Sequence, residues 1–238
     1  MPIIHTLYQR SIPINDAIHI VVPTVGEVLE HEEAYYNMVY LLTAMPIDLM
    51  VQLDDIGIDF TTINEYELFL LLFAGIQNED VRLIFGDLDL TRFKPIVNKT
   101  NGMIVLIDEK TGVVIDRAIH ARIADTLRRL HNLEKNRRRP GNAEARSYML
   151  ERARIKQKRR AAKRTNSQLE QLIVAMVNTE QYKYDYESSL GLSIVQFNES
   201  VRQIIRKVDY DNRMHGIFSG TLNAKELRPD ELNWISQS

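Results

Sequence analysis

The sequence predicts an α+β protein that is predominantly helical. Three observations carry that expectation. Most apolar residues recur at helical spacing, and short β-branched stretches interrupt them, the longest between Lys94 and Ile115. The charge is also strongly zoned. Residues 1–116 hold 6 Lys/Arg against 18 Asp/Glu (−12), residues 117–164 hold 17 against 4 (+13), and residues 165–238 hold 7 against 10 (−3). The chain total of −2 is therefore a cancellation between segments, which points to an electrostatic partner in the same chain or in another molecule. The expected organisation is an acidic α+β region over 1–133 with a small antiparallel β-meander, a basic helical arm or linker over 134–166, and a helical C-terminal region over 167–238.

At 238 residues, with 45% apolar content, a packed core is expected. There is no cysteine, so disulfides, thiol nucleophiles and thiolate metal sites are excluded. The first residues carry no basic segment leading into a long apolar run, and the most apolar window, Leu68 to Ile76, is too short to span a bilayer. A cytoplasmic protein without membrane association is the expectation.

Pro13 to Pro23 reads as a short strand, its Ile18, Ile20, Val21 and Val22 bounded by prolines. Thr24 followed by Glu27 predicts a capping box, with Glu27, Glu30, Glu32 and Glu33 in the first turns of the helical region that follows. Tyr35 to Leu42 continues as an apolar helix. Pro46 suits the first turn of the next helix, which Gly57 ends. Asp54, Asp55 and Asp59 form a cation site on paper, but adjacent carboxylates on a helix point to different sides. Thr62 and Glu65 predict a second capping box, opening the nearly all-apolar helix from Tyr66 to Ala74 as the centre of the N-terminal core.

From Val81 to Phe85, and again from Lys94, the period shifts towards strand. Met103–Ile107 and Val113–Ile115 flank an Asp-Glu-Lys-Thr-Gly turn, and Asn101-Gly102 marks another, predicting a third strand over Phe93–Val97. Asp108–Gly112 lacks the glycine spacing of a phosphate loop. Arg117 to Leu133 is an amphipathic helix, with Ile119, Ile123, Leu127 and Leu130 on one face and Arg122, Arg128 and Arg129 on the others. His120 and His131 are read as exposed and non-ligating.

Pro140-Gly141 then breaks the chain, and the segment beyond has high helix propensity but few apolar residues. It is expected to be a solvent-exposed helix, formed on contact with a partner. Its cations are Arg137, Arg138, Arg139, Arg152, Arg154, Lys156, Lys158, Arg159, Arg160, Lys163 and Arg164. They suit phosphate neutralisation, an acidic protein surface or the chain's own acidic half. No recognised nucleic-acid motif surrounds them, and the single Tyr148 supplies little stacking.

Ser167 caps a helix over Leu169–Val177, and Ser193 with Gln196 caps the last long one, whose face is Ile194, Phe197, Val201, Ile204, Ile205 and Val208. Between them Tyr182, Tyr184 and Tyr186 alternate with charges, which suits binding or a helix-flanking turn about equally. The only tryptophan, Trp234, is either an exposed partner anchor or docked on the last helices. No Ser/His/Asp order, HExxH, P-loop or dinucleotide turn is present, so an enzyme is not expected, and no catalytic, metal or cofactor residue is nominated.

The opening PTVGEVLE, LDDIGIDF and NEYELFLLLF resembles structural-cluster proteins of tailed bacteriophages and prophages of Gram-positive bacteria. So does YKYDYESSLGLSIVQFNESVRQIIRKVDYDNRMHGIFSGTLNAKELRPDELNWI at the far end. The Asn233-Trp234-Ile235 ending is similar to that of tail assembly chaperones. The resemblance covers the first third and the last quarter. It implies a morphogenesis protein acting in the infected or lysogenic host cytoplasm, with a protein partner such as the tape-measure or another tail protein. Tyr182, Tyr184, Tyr186, Phe197 and Trp234 are the expected partner-binding residues. The alternatives are a nucleic-acid-binding protein acting through 137–164 and a minor component of the virion.

Overall fold

A computed structural model describes residues 7–77, 79–99, 102–161 and 167–235, leaving aside the side chains of Arg160, Ala161 and Asp230. Mostly helical with small antiparallel sheets, it is of the α+β class. A hairpin of β1 (Ser11–Pro13) and β2 (His19–Val21) opens the chain, pairing Ile12 with Ile20 and turning both inward. Thr24 then caps α1 (Val25–Glu30) through the expected box with Glu27. His31 interrupts the helix before α2 (Glu32–Thr43), whose first turn holds Glu32 and Glu33. Pro46 starts a 3₁₀ turn that leads into α3 (Met50–Asp55), and Gly57 follows with a positive φ of 76°.

The capping box of α4 (Glu65–Ile76) differs from the expectation by two residues. Asn64 is the cap, its Oδ1 accepting from Tyr66 and Glu67, while Glu67 reaches back to the Asn64 N–H. Asn is as good a cap as Thr, and either register offers a glutamate at the third position. The consequence is that Glu65 is released from capping. The strand-like segment at Val81–Phe85 is instead a single helical turn, α5 (Arg82–Phe85), which buries Ile84 and Phe85 against β2.

The meander follows as β3 (Phe93–Val97), β4 (Ile104–Asp108) and β5 (Val113–Ile115), antiparallel and in that order. Gly112, at φ 72°, closes the β4–β5 turn by donating to the Asp108 carbonyl at 2.8 Å. Asn101 of the other predicted turn lies outside the described residues. Then come α6 (Arg117–Leu130), α7 (Ala143–Ala161), α8 (Gln168–Val177), α9 (Tyr186–Gly191) and α10 (Ile194–Phe218). Among the described residues no helix is long and apolar enough to cross a membrane.

One apolar core runs from Ile12 to Phe197 and includes Leu169, Ile173, Met176 and Ile194, so α8 and the start of α10 pack into the same interior as the acidic half. The two ends meet at the backbone. Thr24 and Ser193 form an antiparallel bridge, Val25 N–H donates to the Leu192 carbonyl and Ile194 N–H to that of Pro23. Two helix caps are thereby fixed against each other. Gly26 allows this approach, since a Cβ there would lie 3.3 Å from the Leu190 carbonyl oxygen. A second cluster, around Ile47, Leu49, Leu53, Phe60 and Leu68, receives Leu150 of α7.

Two residues expected on the partner-binding surface are core residues instead. Phe197 is completely buried and Tyr182 is 7% exposed, their rings meeting edge to face. Phe197 lies in the first turn of α10 and Tyr182 in the coil between α8 and α9, and both are turned into the same apolar core, whose removal from water drives folding.

Candidate functional site

The arm is a helix docked on the acidic half through one face. On α7, Arg146, Leu150 and Arg154 recur every four residues and therefore line one side. Leu150 enters the second cluster. Arg146 pairs with Asp59 at 3.0 Å, and Arg154 with Asp54 at 2.8 Å and Asp55 at 2.6 Å. The carboxylates that made a cation site on paper are thus matched by arginines, and Thr61 and Arg146 together hold Asp59 below the usual carboxylate range. Among the described residues no group of three His, Asp or Glu is placed to hold a metal ion. The expected free-standing helix is replaced by a docked one, because Leu150 removes apolar surface while half-exposed ion pairs alone supply only about 0–1 kcal/mol each. Beyond Arg154 every described side chain of α7 is exposed, Lys156, Lys158 and Arg159 included, and Arg152 rests over the Tyr148 ring. Arg137–Arg139 are exposed on the preceding coil. Lys163, Arg164 and the Arg160 side chain lie outside the described residues.

At the root of the arm lies a buried charge cluster that sequence reading did not find. Arg128, expected on an outer face of α6, is 5% exposed. Its Nη2 donates to Glu65 Oε1 and to the Thr43 carbonyl, both at 2.5 Å, and its Nη1 to Asp125 at 2.9 Å. Lys135 holds the other Glu65 oxygen, and Asn136 donates to Asp48 at 2.7 Å. Burial would raise the Glu65 carboxyl, but hydrogen bonds from Lys135 and Arg128 outweigh it and keep the group ionised below its ordinary range. Helices α2, α4 and α6 and the base of the coil are thereby joined at one carboxylate.

His120 and His131, expected to be exposed, are drawn inwards. His120 stacks on Phe69 at 4.3 Å between ring centres, and its Nε2 has no hydrogen-bond partner among the described residues. His131 shares a 3.0 Å hydrogen bond with the Tyr35 hydroxyl and meets the Tyr35 and Tyr36 rings edge-on. Burial lowers both imidazoles to about 4. Because both folded-state values lie below the ordinary one of about 6.5, the unfolded chain binds more protons between pH 6.5 and 4. Stability is therefore full above pH 6.5 and falls as the pH drops towards 4, by up to about 3 kcal/mol for His120 and less for His131, whose edge reaches solvent. Urea titrations across this range are expected to show that loss, with the His120→Phe variant losing less.

The alternating tyrosines are a helix-flanking turn. Asp185 caps α9 through Ser188, Tyr182 shares a 2.9 Å hydrogen bond with Ser189, and Tyr184 and Tyr186 are left 41% and 51% exposed. Helix α10 has two parts. Its first turns enter the core, but past Phe197 no described residue is buried, and Ile205 and Val208 are 55% and 38% exposed. They continue at helical spacing the stripe begun by Ile194, Phe197 and Val201. The tail folds back on a different face. Gln203 donates to the Trp234 carbonyl at 3.1 Å, Arg213 to that of Glu231 at 3.4 Å, and Lys207 stands 5.7 Å from the Trp234 ring centre. Trp234 is half-buried, which answers the open question in favour of docking, and the tail leaves Ile205 and Val208 uncovered.

What this arrangement offers chemically is a projecting apolar helix edge and an exposed basic surface. No protein-family model matches the chain, and neither the curated proteins nor the solved structures compared with it give a match.

Proposed function

We propose that the protein is a phage-type morphogenesis protein, an assembly chaperone that holds an aggregation-prone structural partner through the projecting part of α10. The observation that carries this reading is the uncovered stripe of Ile205 and Val208 on a helix whose other side is closed by the tail. A 25-residue helix extends about 37 Å, so its distal turns reach well past the core that anchors the first two. An apolar helix edge of this kind lays into a groove or against a second helix, which suits a long helical partner such as a tape-measure protein. The resemblance of both chain ends to tail-cluster proteins supports the same assignment. The docking residues differ from those the sequence nominated, since Tyr182 and Phe197 serve the core and Ile205 and Val208 take their place.

Co-expression with a tagged tape-measure protein and affinity capture tests the reading. The wild-type chain is expected to be retained and to keep its partner soluble, and the Ile205→Asp/Val208→Asp double variant to lose about tenfold or more of that retention while keeping its circular dichroism. Absence of retained wild-type protein would sink the assignment.

A further inference from the structure

A cavity of about 490 Å³ opens where the coil carrying Arg137–Arg139 passes over the second apolar cluster. Its rim holds Arg117, Arg137, Arg138 and Arg139, all exposed, and none has a carboxylate partner among the described residues. Its floor includes half-buried Met45 and Ile63. Among the described residues of its lining the one acidic group is Glu65, and both oxygens of that carboxylate are already taken by Arg128 and Lys135. The cavity is thus a concave, strongly positive site whose one internal counter-charge is already neutralised.

We propose that this cavity binds an acidic peptide segment of a protein partner, with carboxylates on the arginine rim and an aliphatic side chain against Met45 and Ile63. The inference deepens the assembly-chaperone reading and rests on it. Planar guanidinium groups pair with carboxylates through two parallel hydrogen bonds, and the cations of this protein already engage carboxylates at Glu65, Asp54, Asp55 and Asp59. A nucleic-acid strand fits the site less well. Its bases need exposed rings to stack on, and the one ring among the described lining residues, Phe60, is 5% exposed.

Fluorescence polarisation on the full chain tests this with three labelled probes: a short peptide of alternating Asp and Leu, its Asn/Leu counterpart and an oligo-dT of similar length. The Asp/Leu peptide is expected to bind, to weaken as salt is raised, and to bind at least about tenfold more tightly than either other probe. The Arg137→Ala/Arg138→Ala/Arg139→Ala variant, whose substitutions lie on an exposed coil, is expected to lose about tenfold or more. A Lys156→Ala/Lys158→Ala/Arg159→Ala variant is expected to bind as wild type. Equal binding of the Asn/Leu peptide, tighter binding of oligo-dT, no binding of the Asp/Leu peptide, or an unaffected arginine variant each overturns the proposal. The same arginine variant in the tape-measure capture separates the two readings. Retention that survives it but not Ile205→Asp/Val208→Asp overturns the cavity as a partner site and leaves the chaperone reading standing, whereas retention of neither variant nor wild type removes the chaperone reading itself.

Discussion

Replacing Glu65 by alanine is expected to lower the unfolding free energy by about 3–5 kcal/mol, because it leaves the buried Arg128 guanidinium without its main counter-charge. Thr43 and Asp125 remain as partners, but the first is a neutral carbonyl and the second is largely exposed, so neither replaces a carboxylate in a nearly water-free setting. Lys135 loses its anchor at the same time, and the coil leading to α7 keeps the Asn136–Asp48 hydrogen bond but loses this tie to the body. The measurement is urea denaturation of the Glu65→Ala, Arg128→Met and double variants. Arg128→Met alone leaves Glu65 with Lys135, so it is expected to cost less than Glu65→Ala. The double variant is expected to be more stable than the two losses summed, since each single change strands the other's charge. Strict additivity would mean that the two side chains do not act on each other.

The buried charge cluster around Glu65 shows which features local sequence rules reach and which they do not. The fold-level expectations rested on local rules that packing did not need to override. Thr24 with Glu27 and Ser193 with Gln196 cap as their spacing requires, and the β-branched runs around Gly112 form the meander. Glu65 was hidden because two capping registers were open to the same residues, and only the choice of Asn64 frees its carboxylate. Arg128 was hidden because helical periodicity gives its face but not what covers it. Here α2 and α4 bring the Thr43 carbonyl and Glu65 to within 2.5 Å. His120 and His131 were misplaced for the same reason, since each is buried by aromatic residues remote in sequence, Phe69 and Tyr35. The charge zoning was informative in a different way. It predicted an acidic partner for the arm, and α7 meets Asp54, Asp55 and Asp59 of its own chain, but charge counts could not say which cations would stay free.

Along α10, burial and helical periodicity part company within one apolar stripe. Phe197 and Ile205 belong to one apolar stripe and are indistinguishable by periodicity, yet they are completely buried and 55% exposed respectively. Phe197→Ala is expected to cost about 3–5 kcal/mol, the sum of lost transfer free energy and the cavity left between Tyr182 and the core. Ile205→Ala, at a site with no covering element, is expected to stay within about 0.5 kcal/mol of wild type. Partner retention should order the two variants the other way. At a temperature where Phe197→Ala is still folded by circular dichroism it keeps the partner, while Ile205→Ala releases part of it without any loss of stability. If folded Phe197→Ala loses the partner and Ile205→Ala retains it fully, the docking surface lies nearer Tyr184 and Tyr186, and the projecting edge of α10 has another use. A helix that gives its first turns to the core and its later turns to a partner has a fixed docking direction, because the bridge between Thr24 and Ser193 sets where it starts. Weakening that start should therefore lower both stability and retention, whereas changing Ile205 or Val208 should lower retention alone.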